Sequence, residues 1–160
     1  MKTLYHGSYI AIDKIELFRG RRGKDSGQGF YLSGDLEQAK RMAEIAVARE
    51  GIGTPIITSY DFDEEGMERG PLKALKFESY SEEWARFIFM NRNNRSKVQA
   101  HDYDFVYGPI ADDRVGVQIR LFQQEYISIV TLVERLKFIK PTFQYFFGTE
   151  NSQNILSRKE

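Results

Sequence analysis

Hydrophobic positions along the chain follow two periods, which predict short strands and amphipathic helices. Alternation over residues 4–8 predicts a first strand that ends at a glycine and a serine, and the apolar positions of residues 10–18 predict a second. Residues 36–47 keep a helical period. Asp35 stands where an N-cap is expected and Gly51 where a helix stops, so both ends of this helix are marked.

The remaining elements follow the same two patterns. Further strands are predicted at residues 30–32, 55–62, 72–77, 103–110 and 142–147. Further helices are predicted to open at Ser79 and at Asp112 or Asp113, and to cover residues 127–138. Strands dominate both ends of the chain and helices are inserted between them. This arrangement predicts the α+β class rather than a strict βαβ alternation.

Two stretches are predicted to lie outside regular structure. The acidic run of residues 61–68 predicts a solvated hairpin or loop, because it lacks the glycine-containing spacing of a Ca²⁺ loop. Residues after Gln153 are polar and are predicted to fray. Since no linker or internal repeat interrupts the chain, the sequence predicts a single domain over residues 1–150 and a polar C-terminal tail over residues 151–160.

Composition restricts the chemistry that is open to this chain. Its 160 residues suffice for one domain with a real core, and they include two histidines and no cysteine. The absence of cysteine excludes disulfides, thiolate zinc sites and a cysteine nucleophile, and two histidines exclude a histidine-rich metal site. We therefore expect no metal. Of the two histidines, His101 lies in a polar stretch that predicts a surface loop.

Charge and hydropathy bear on partners and on location. The 23 Lys and Arg residues balance 23 Asp and Glu residues, which argues against a general binder of nucleic acid or anionic membranes. The first residues contain no apolar stretch of signal-peptide length. No apolar run approaches the ~20 residues that span a bilayer. We expect a cytoplasmic protein with no membrane partner.

Two polar residues stand out within apolar strands. His6 precedes Gly7 and Ser8 at a strand end, where glycine lets a ligand approach the backbone and a fixed imidazole can make a hydrogen bond. A lone strand histidine is more often structural. Gln144 lies in a run of aromatic residues, and its amide needs a partner or a ligand if it is buried. The alternative is an exposed amide on a half-solvated strand.

Residues 19–29 form a loop rich in glycine and basic residues. It contains Arg19, Arg22 and two further cations, and its glycines allow close approach of the backbone. Such a loop suits a diphosphate through charge-assisted hydrogen bonds. It is not a P-loop, because the required spacing of glycine and lysine is missing. The alternative is a mobile, exposed loop.

The order of these motifs resembles the ADP-ribosyltransferase superfamily in its His-Tyr-Glu branch. Within it, the chain is most similar to small bacterial proteins that have remained domains of unknown function. The motifs are residues 5–8 (YHGS), 27–33 (GQGFYLS), 104–113 (DFVYGPIADD) and 144–147 (QYFF). The likeness extends from residue 4 to about residue 150. It implies an ADP-ribosyltransferase-like fold, in which split antiparallel β-sheets with flanking helices clasp NAD.

The resemblance also implies roles for individual residues. His6 would bind the nicotinamide ribose, the backbone of Gly7 would hold the carboxamide and Tyr31 would stack on the nicotinamide ring. The implied catalytic residues are His6, Tyr31 and Gln144. The implied NAD-binding residues are His6, Gly7, Ser8, Arg19, Arg22, Gly29, Phe30, Tyr31 and Ser33. NAD is a substrate in this chemistry, which involves no metal.

The chain departs from the family pattern at the third catalytic position. Where a glutamate is usual, Gln144 is neutral at every pH and cannot act as a general base. This favours an acceptor that is already nucleophilic, a helper carboxylate such as Asp104 or Glu150, or a weakened enzyme.

The implied function is transfer of ADP-ribose from NAD to a macromolecule with release of nicotinamide, as in bacterial toxins of toxin–antitoxin pairs. An antitoxin protein is then a further partner. Whether the acceptor is protein or nucleic acid is left open. An NAD glycohydrolase and a non-catalytic module that binds NAD, ADP-ribose or a protein are the alternatives.

Overall fold

A seven-stranded mixed sheet runs through the protein, which a computed structural model describes over residues 1–159, apart from the side chain of Asp113. Its strands are β1 (Lys2–Ser8), β2 (Phe30–Ser33), β3 (Ile56–Phe62), β4 (Ala74–Lys76), β5 (Phe105–Pro109), β6 (Phe143–Phe147) and β7 (Leu156–Arg158). Their spatial order is β4-β5-β6-β2-β1-β3-β7. Among the strands of residues 1–159, only the β4–β5 pair at one edge is parallel.

Helices connect the strands and pack on the sheet. They are α1 (Leu36–Glu50), α2 (Glu64–Arg69), α3 (Glu82–Asn93), α4 (Asp113–Gln123), α5 (Ile129–Leu136) and α6 (Glu150–Gln153), with a 3₁₀ helix at Leu17–Arg19. The predicted α+β class is confirmed. Within the described residues, no helix is long and apolar enough to cross a membrane.

Helix α1 begins and ends as its sequence predicts. The Asp35 carboxylate accepts hydrogen bonds from the backbone N–H groups of Glu37 and Gln38. At the other end, Gly51 has a φ of 72°, a left-handed conformation that glycine adopts without strain, and its N–H donates to Val47 O. Both ends are therefore satisfied by local groups.

The core consists of two clusters on opposite faces of the sheet. The first consists mainly of aromatic residues packed around Leu4, namely Phe30, Tyr60, Phe62, Phe105, Tyr145 and Phe147. The second lies between the sheet and α3, α4 and α5, and includes Trp84, Val106, Ile119, Leu132 and Phe146. Along β2 and β6, neighbouring residues alternate between the clusters, as the pleat of a strand requires.

The sheet divides between β1 and β2. These strands share one bridging pair, Tyr5 with Ser33. By contrast, all seven residues of β1 pair with β3, and all four of β2 pair with β6. We call the boundary between β1 and β2 the seam. It separates a first half-sheet (β4, β5, β6 and β2) from a second (β1, β3 and β7).

Side chains bridge the seam on the face of the first cluster. The Phe62 ring of β3 lies 5.6 Å from the ring of Phe105, 5.6 Å from that of Tyr145 and 5.8 Å from that of Phe147. These three partners belong to β5 and β6, so one ring of the second half-sheet packs among three rings of the first.

Two predicted stretches differ from the structure before residue 70. Residues 10–18 do not form a strand: the only regular element there is the 3₁₀ helix, and Ile12 and Ile15 pack on the core from a loop. The acidic run is not a loop throughout, because residues 64–69 form α2. Asp63 caps this helix, and the following glutamates sit where negative charge favours a helix N-terminus.

Two further predictions are wrong near α3 and at the end of the chain. Ser81 rather than Ser79 caps α3, through its hydroxyl and the N–H of Trp84. The chain does not fray after Gln153, since β7 pairs with β3 and the Ile155 carbonyl accepts from Asp63 N–H. Part of the predicted polar tail thus belongs to the sheet.

Candidate functional site

His6 spans the seam with its side chain. Its Nδ1 lies 2.8 Å from the carbonyl oxygen of Tyr31, and its ring stacks on Phe30 at 4.3 Å. A carbonyl only accepts, so we assign the proton to Nδ1. Nε2 then carries a lone pair and has no partner among the described residues. Burial lowers the pKa of His6 to about 4, so the ring is neutral at pH 7.

Tyr31 holds a loop through its hydroxyl group. The hydroxyl donates to Gly27 O at 2.6 Å and accepts from Ser26 N–H at 3.0 Å. The ring packs against Phe146 with centroids 5.0 Å apart. Burial raises the pKa of Tyr31 well above its ordinary value, so the hydroxyl stays protonated and keeps its role as a donor.

Residues 24–28, which we call the cover loop, lie over Tyr31. The Lys24 ammonium is 4.2 Å from the centroid of the Tyr31 ring, within the range of a cation–π contact. Burial lowers the pKa of Lys24, and the neighbouring charges of Asp25, Arg49 and Arg21 act on it as well. Lys24 thus covers the Tyr31 ring, which the resemblance implies would stack on nicotinamide.

Asp25 ties the cover loop to the end of α3 and to the segment after β5. Its Oδ1 pairs with Arg92 Nε at 2.8 Å in a largely buried ion pair, and its Oδ2 accepts from Ala111 N–H at 3.2 Å. Its carbonyl accepts from the Asn91 amide at 3.1 Å. A half-buried carboxylate with a cation and an N–H donor is well satisfied, so these bonds fix this part of the loop.

Two residues between α3 and β5 hold the rest of the loop. His101 Nε2 lies 2.7 Å from Ser26 O, while its Nδ1 accepts from Tyr103 N–H at 3.1 Å. The Gln99 amide donates to Gln28 O at 2.6 Å and accepts from Gln28 N–H at 3.2 Å. Residues 25–28 are therefore held by side chains of distant elements and are not an exposed loop. His101 is half-buried and is not a simple surface residue.

Several predicted small residues have packing roles. A Cβ atom on Gly7 would lie 2.7 Å from Ala43 N of α1, and one on Gly29 would press against the Phe146 ring and lie 2.8 Å from Phe147 O. The Ser33 hydroxyl accepts from Asp35 N–H at 3.0 Å and Ser8 is buried at the end of β1. The glycines therefore allow close packing of the protein against itself at these positions.

The two predicted phosphate-binding arginines lie away from the Tyr31 ring contact. Arg19 is in the 3₁₀ helix, where it forms an exposed ion pair with Glu16. Arg22 lines a small depression beside the cover loop, together with Lys97 and the buried amide of Asn91. Asn91 Oδ1 has no hydrogen-bond partner among the described residues. This polar depression was not predicted from the sequence.

Gln144 lies in the middle of a cross-strand row. It pairs with Ser33 of β2 on one side and with Gly108 of β5 on the other. It lines a small depression with Ser26 and with Trp84 and Phe87 of α3. By alternation, Gln144 and Tyr31 share one face of the sheet, whereas His6 shares the other face with Phe30.

The three predicted catalytic residues thus meet in part. His6 contacts the backbone of Tyr31, and Gln144 and Tyr31 are both close to Ser26, but the rings of His6 and Tyr31 do not face one another. Each depression has a volume of about 10 Å³, which is room for about one water molecule, whereas ligand pockets typically measure ~300–1,000 Å³. Neither depression has room for a dinucleotide as it stands.

Comparison with known proteins identifies a family but no activity. The family model described as "Protein of unknown function (DUF3990)" matches residues 2–157, nearly the whole chain. No curated protein and no solved structure matches the chain. Any functional conclusion therefore depends on the residues at the seam and on their chemistry.

Proposed function

The chain belongs to the DUF3990 family, and we propose that it is an NAD-dependent ADP-ribosyltransferase. In this proposal the sheet is the split sheet of the ADP-ribosyltransferase superfamily, and the seam is its substrate cleft. The protein would transfer ADP-ribose from NAD to a macromolecular acceptor and release nicotinamide. A toxin role with an antitoxin partner is part of the proposal and rests on the sequence resemblance alone.

The observation that carries the proposal is the bond from His6 to Tyr31 across the seam. Beyond the Tyr5–Ser33 bridge, β1 and β2 no longer pair, and an imidazole takes the place of backbone hydrogen bonds. Since Nδ1–H is held by a carbonyl, the ring is fixed in one tautomer. Its Nε2 can then accept a hydrogen bond from a ribose hydroxyl, the contact that the family site requires of its histidine.

The reaction needs little acid–base catalysis by the protein. As the glycosidic bond breaks, its electron pair leaves with nicotinamide and positive charge develops at the ribose C1′. The acceptor then donates an electron pair to C1′ and loses its proton. The site must hold the ring and the ribose in place and accommodate the developing charge. A neutral His6 and an aromatic Tyr31 are suited to this task.

Proton removal from the acceptor has no dedicated carboxylate at the third catalytic position. Gln144 cannot act as a base. The Asp104 carboxylate is already used, because it accepts from the Thr149 hydroxyl at 2.6 Å and from Lys73 N–H at 2.8 Å. Glu150 remains exposed at the start of α6. The arrangement therefore favours an acceptor that is nucleophilic without help.

Labelled NAD tests the proposal. The full chain, incubated with NAD labelled in its adenylate half and with a cell lysate, is expected to label a macromolecule. His6→Ala and Tyr31→Ala should abolish the label. Tyr126→Ala is the matched control, since Tyr126 is 75% exposed and its removal should leave the label unchanged. Equal labelling by all variants would overturn the assigned roles.

The neutral Gln144 favours one alternative, a module that binds NAD or ADP-ribose without turnover. Calorimetric binding of NAD with neither label transfer nor nicotinamide release would select it. Release of nicotinamide without a labelled macromolecule would instead select a glycohydrolase. If neither NAD nor ADP-ribose binds, the proposed use of the seam is wrong.

A further inference from the structure

We propose that the Lys24 ammonium competes with a ligand for the face of the Tyr31 ring. The cover loop keeps this face covered until a cationic ring of the ligand displaces the ammonium. The ligand is the nicotinamide ring of NAD, and this identity rests on the proposed function. Lys24 would then set the affinity for NAD without belonging to the reacting groups. The cover loop would be the part of the protein that moves.

The first support is that two cations cannot share the same ring. The Tyr31 ring is enclosed by Phe146 at 5.0 Å and by Lys24 Nζ at 4.2 Å. The oxidised nicotinamide ring carries a positive charge, as an ammonium does, and both are attracted to the π face of an aromatic ring. Nicotinamide stacked on Tyr31 therefore requires Lys24 to leave.

The second support is that little else holds the Lys24 ammonium. None of the ion pairs among the described residues includes Lys24. The adjacent Asp25 already pairs with Arg92, while Arg21 and Arg49 are like charges. A half-buried ammonium with this environment gains solvation when it leaves the ring. A ligand can thus displace it readily.

The third support is that the cover loop has both a latch and flexible points. The latch is the Asp25–Arg92 ion pair, reinforced by the bonds of Ser26 and Gln28 to neighbouring side chains. Gly23 precedes the loop with a φ of 74°, and Gly27 lies within it with a φ of 91°. Glycine can pass between left- and right-handed conformations without a steric penalty, so the backbone can turn at these two points.

Titration of NAD into three proteins tests the competition. Lys24→Met keeps the length of the side chain and removes the charge, and it is expected to bind NAD about tenfold more tightly than the unmodified chain. Lys24→Arg keeps a cation over the ring and should bind within about twofold of the unmodified chain. Asp25→Asn, which weakens the latch, should also tighten binding.

Hydrogen exchange provides a readout independent of affinity. The Ser26 N–H donates to the Tyr31 hydroxyl and the Gln28 N–H to the Gln99 side chain. Saturating NAD should therefore accelerate exchange of both amides in the unmodified chain, because the loop leaves its position. Lys24→Met should accelerate them without NAD.

Each outcome decides the inference. If the unmodified chain and Lys24→Met bind NAD equally, and the two amides stay protected in the complex, the competition is refuted while the proposed function stands. If no variant binds NAD, the proposed function and the inference fall together. Tighter binding by Lys24→Met with faster exchange supports both.

Discussion

His6 and Tyr31 are joined across the seam by a hydrogen bond of 2.8 Å from an imidazole Nδ1 to a backbone carbonyl. The bond lies next to the one bridge between β1 and β2, Tyr5 with Ser33, and continues the connection where the backbone pairing ends. It keeps a neutral imidazole at the centre of the sheet with one nitrogen engaged.

The first prediction concerns the pH dependence of stability. The pKa of His6 is about 4 in the folded protein, against an ordinary value of 6.5. The unfolded chain therefore binds more protons between these values, and the stabilising contribution of the neutral ring is lost as the pH falls from 6.5 to 4. The shift corresponds to about 3 kcal/mol of unfolding free energy.

Comparison with His6→Gln isolates this contribution. Urea denaturation at pH 7 and at pH 4 should show a larger loss for the unmodified chain, because carboxylates titrate alike in both proteins. Parallel losses would mean that His6 titrates normally. The imidazole resonances of His6 offer a direct check by NMR.

The second prediction concerns the contact between β1 and α1. Gly7→Ala would place a methyl group 2.7 Å from Ala43 N, against helix backbone that cannot yield locally. We expect a loss of about 3 kcal/mol or more in thermal or urea unfolding. Gly34→Ala is the control, because its nearest atoms would lie at 3.7 Å. Equal effects of the two changes would contradict this packing.

The third prediction concerns the Tyr31 hydroxyl. Tyr31→Phe keeps the ring under Lys24 but leaves Gly27 O and Ser26 N–H without their partner. Unfolding free energy should fall by about 1–3 kcal/mol, and the Ser26 amide should exchange faster. Tyr126→Phe, at an exposed tyrosine, should change neither quantity. Unchanged exchange at Ser26 would show that the hydroxyl does not hold the loop.

The fourth prediction concerns the last strand. Removal of residues 155–160 would delete the buried Ile155 and the pairing of β7 with β3. The loss should be about 2–5 kcal/mol, measured as a lower urea midpoint. Arg158→Ala, which removes only an exposed side chain, should change stability by less than about 0.5 kcal/mol. A truncated chain with the original midpoint would indicate that β7 contributes nothing.

Local signals in the sequence accounted for much of the fold. Asp35 and Gly51 mark the ends of α1 because capping depends on residues within one turn. Alternation in residues 4–8 and 143–147 located two of the central strands. Strand β7 was not predicted, because its three residues have no hydrophobic pattern of their own. Only its pairing with β3 defines it as a strand.

The candidate site was less predictable, because its contacts are distant in the sequence. Asp25 meets Arg92 and Ala111, and His101 meets Ser26, each across more than sixty residues. Neither hydrophobic periodicity nor a capping residue indicates such pairs in the sequence. The motif around Tyr31 indicated an aromatic residue at the site, but not that Lys24 would cover it.

The packing of Phe62 joins the two half-sheets and so resists their separation at the seam. Widening the gap between the half-sheets would pull this ring away from Phe105, Tyr145 and Phe147 together, at the expense of buried aromatic area. The two half-sheets are therefore held together by side-chain packing as well as by the backbone bridge. In the proposed function, NAD would then reach the seam through local rearrangement of the cover loop rather than through a hinge-like opening of the fold.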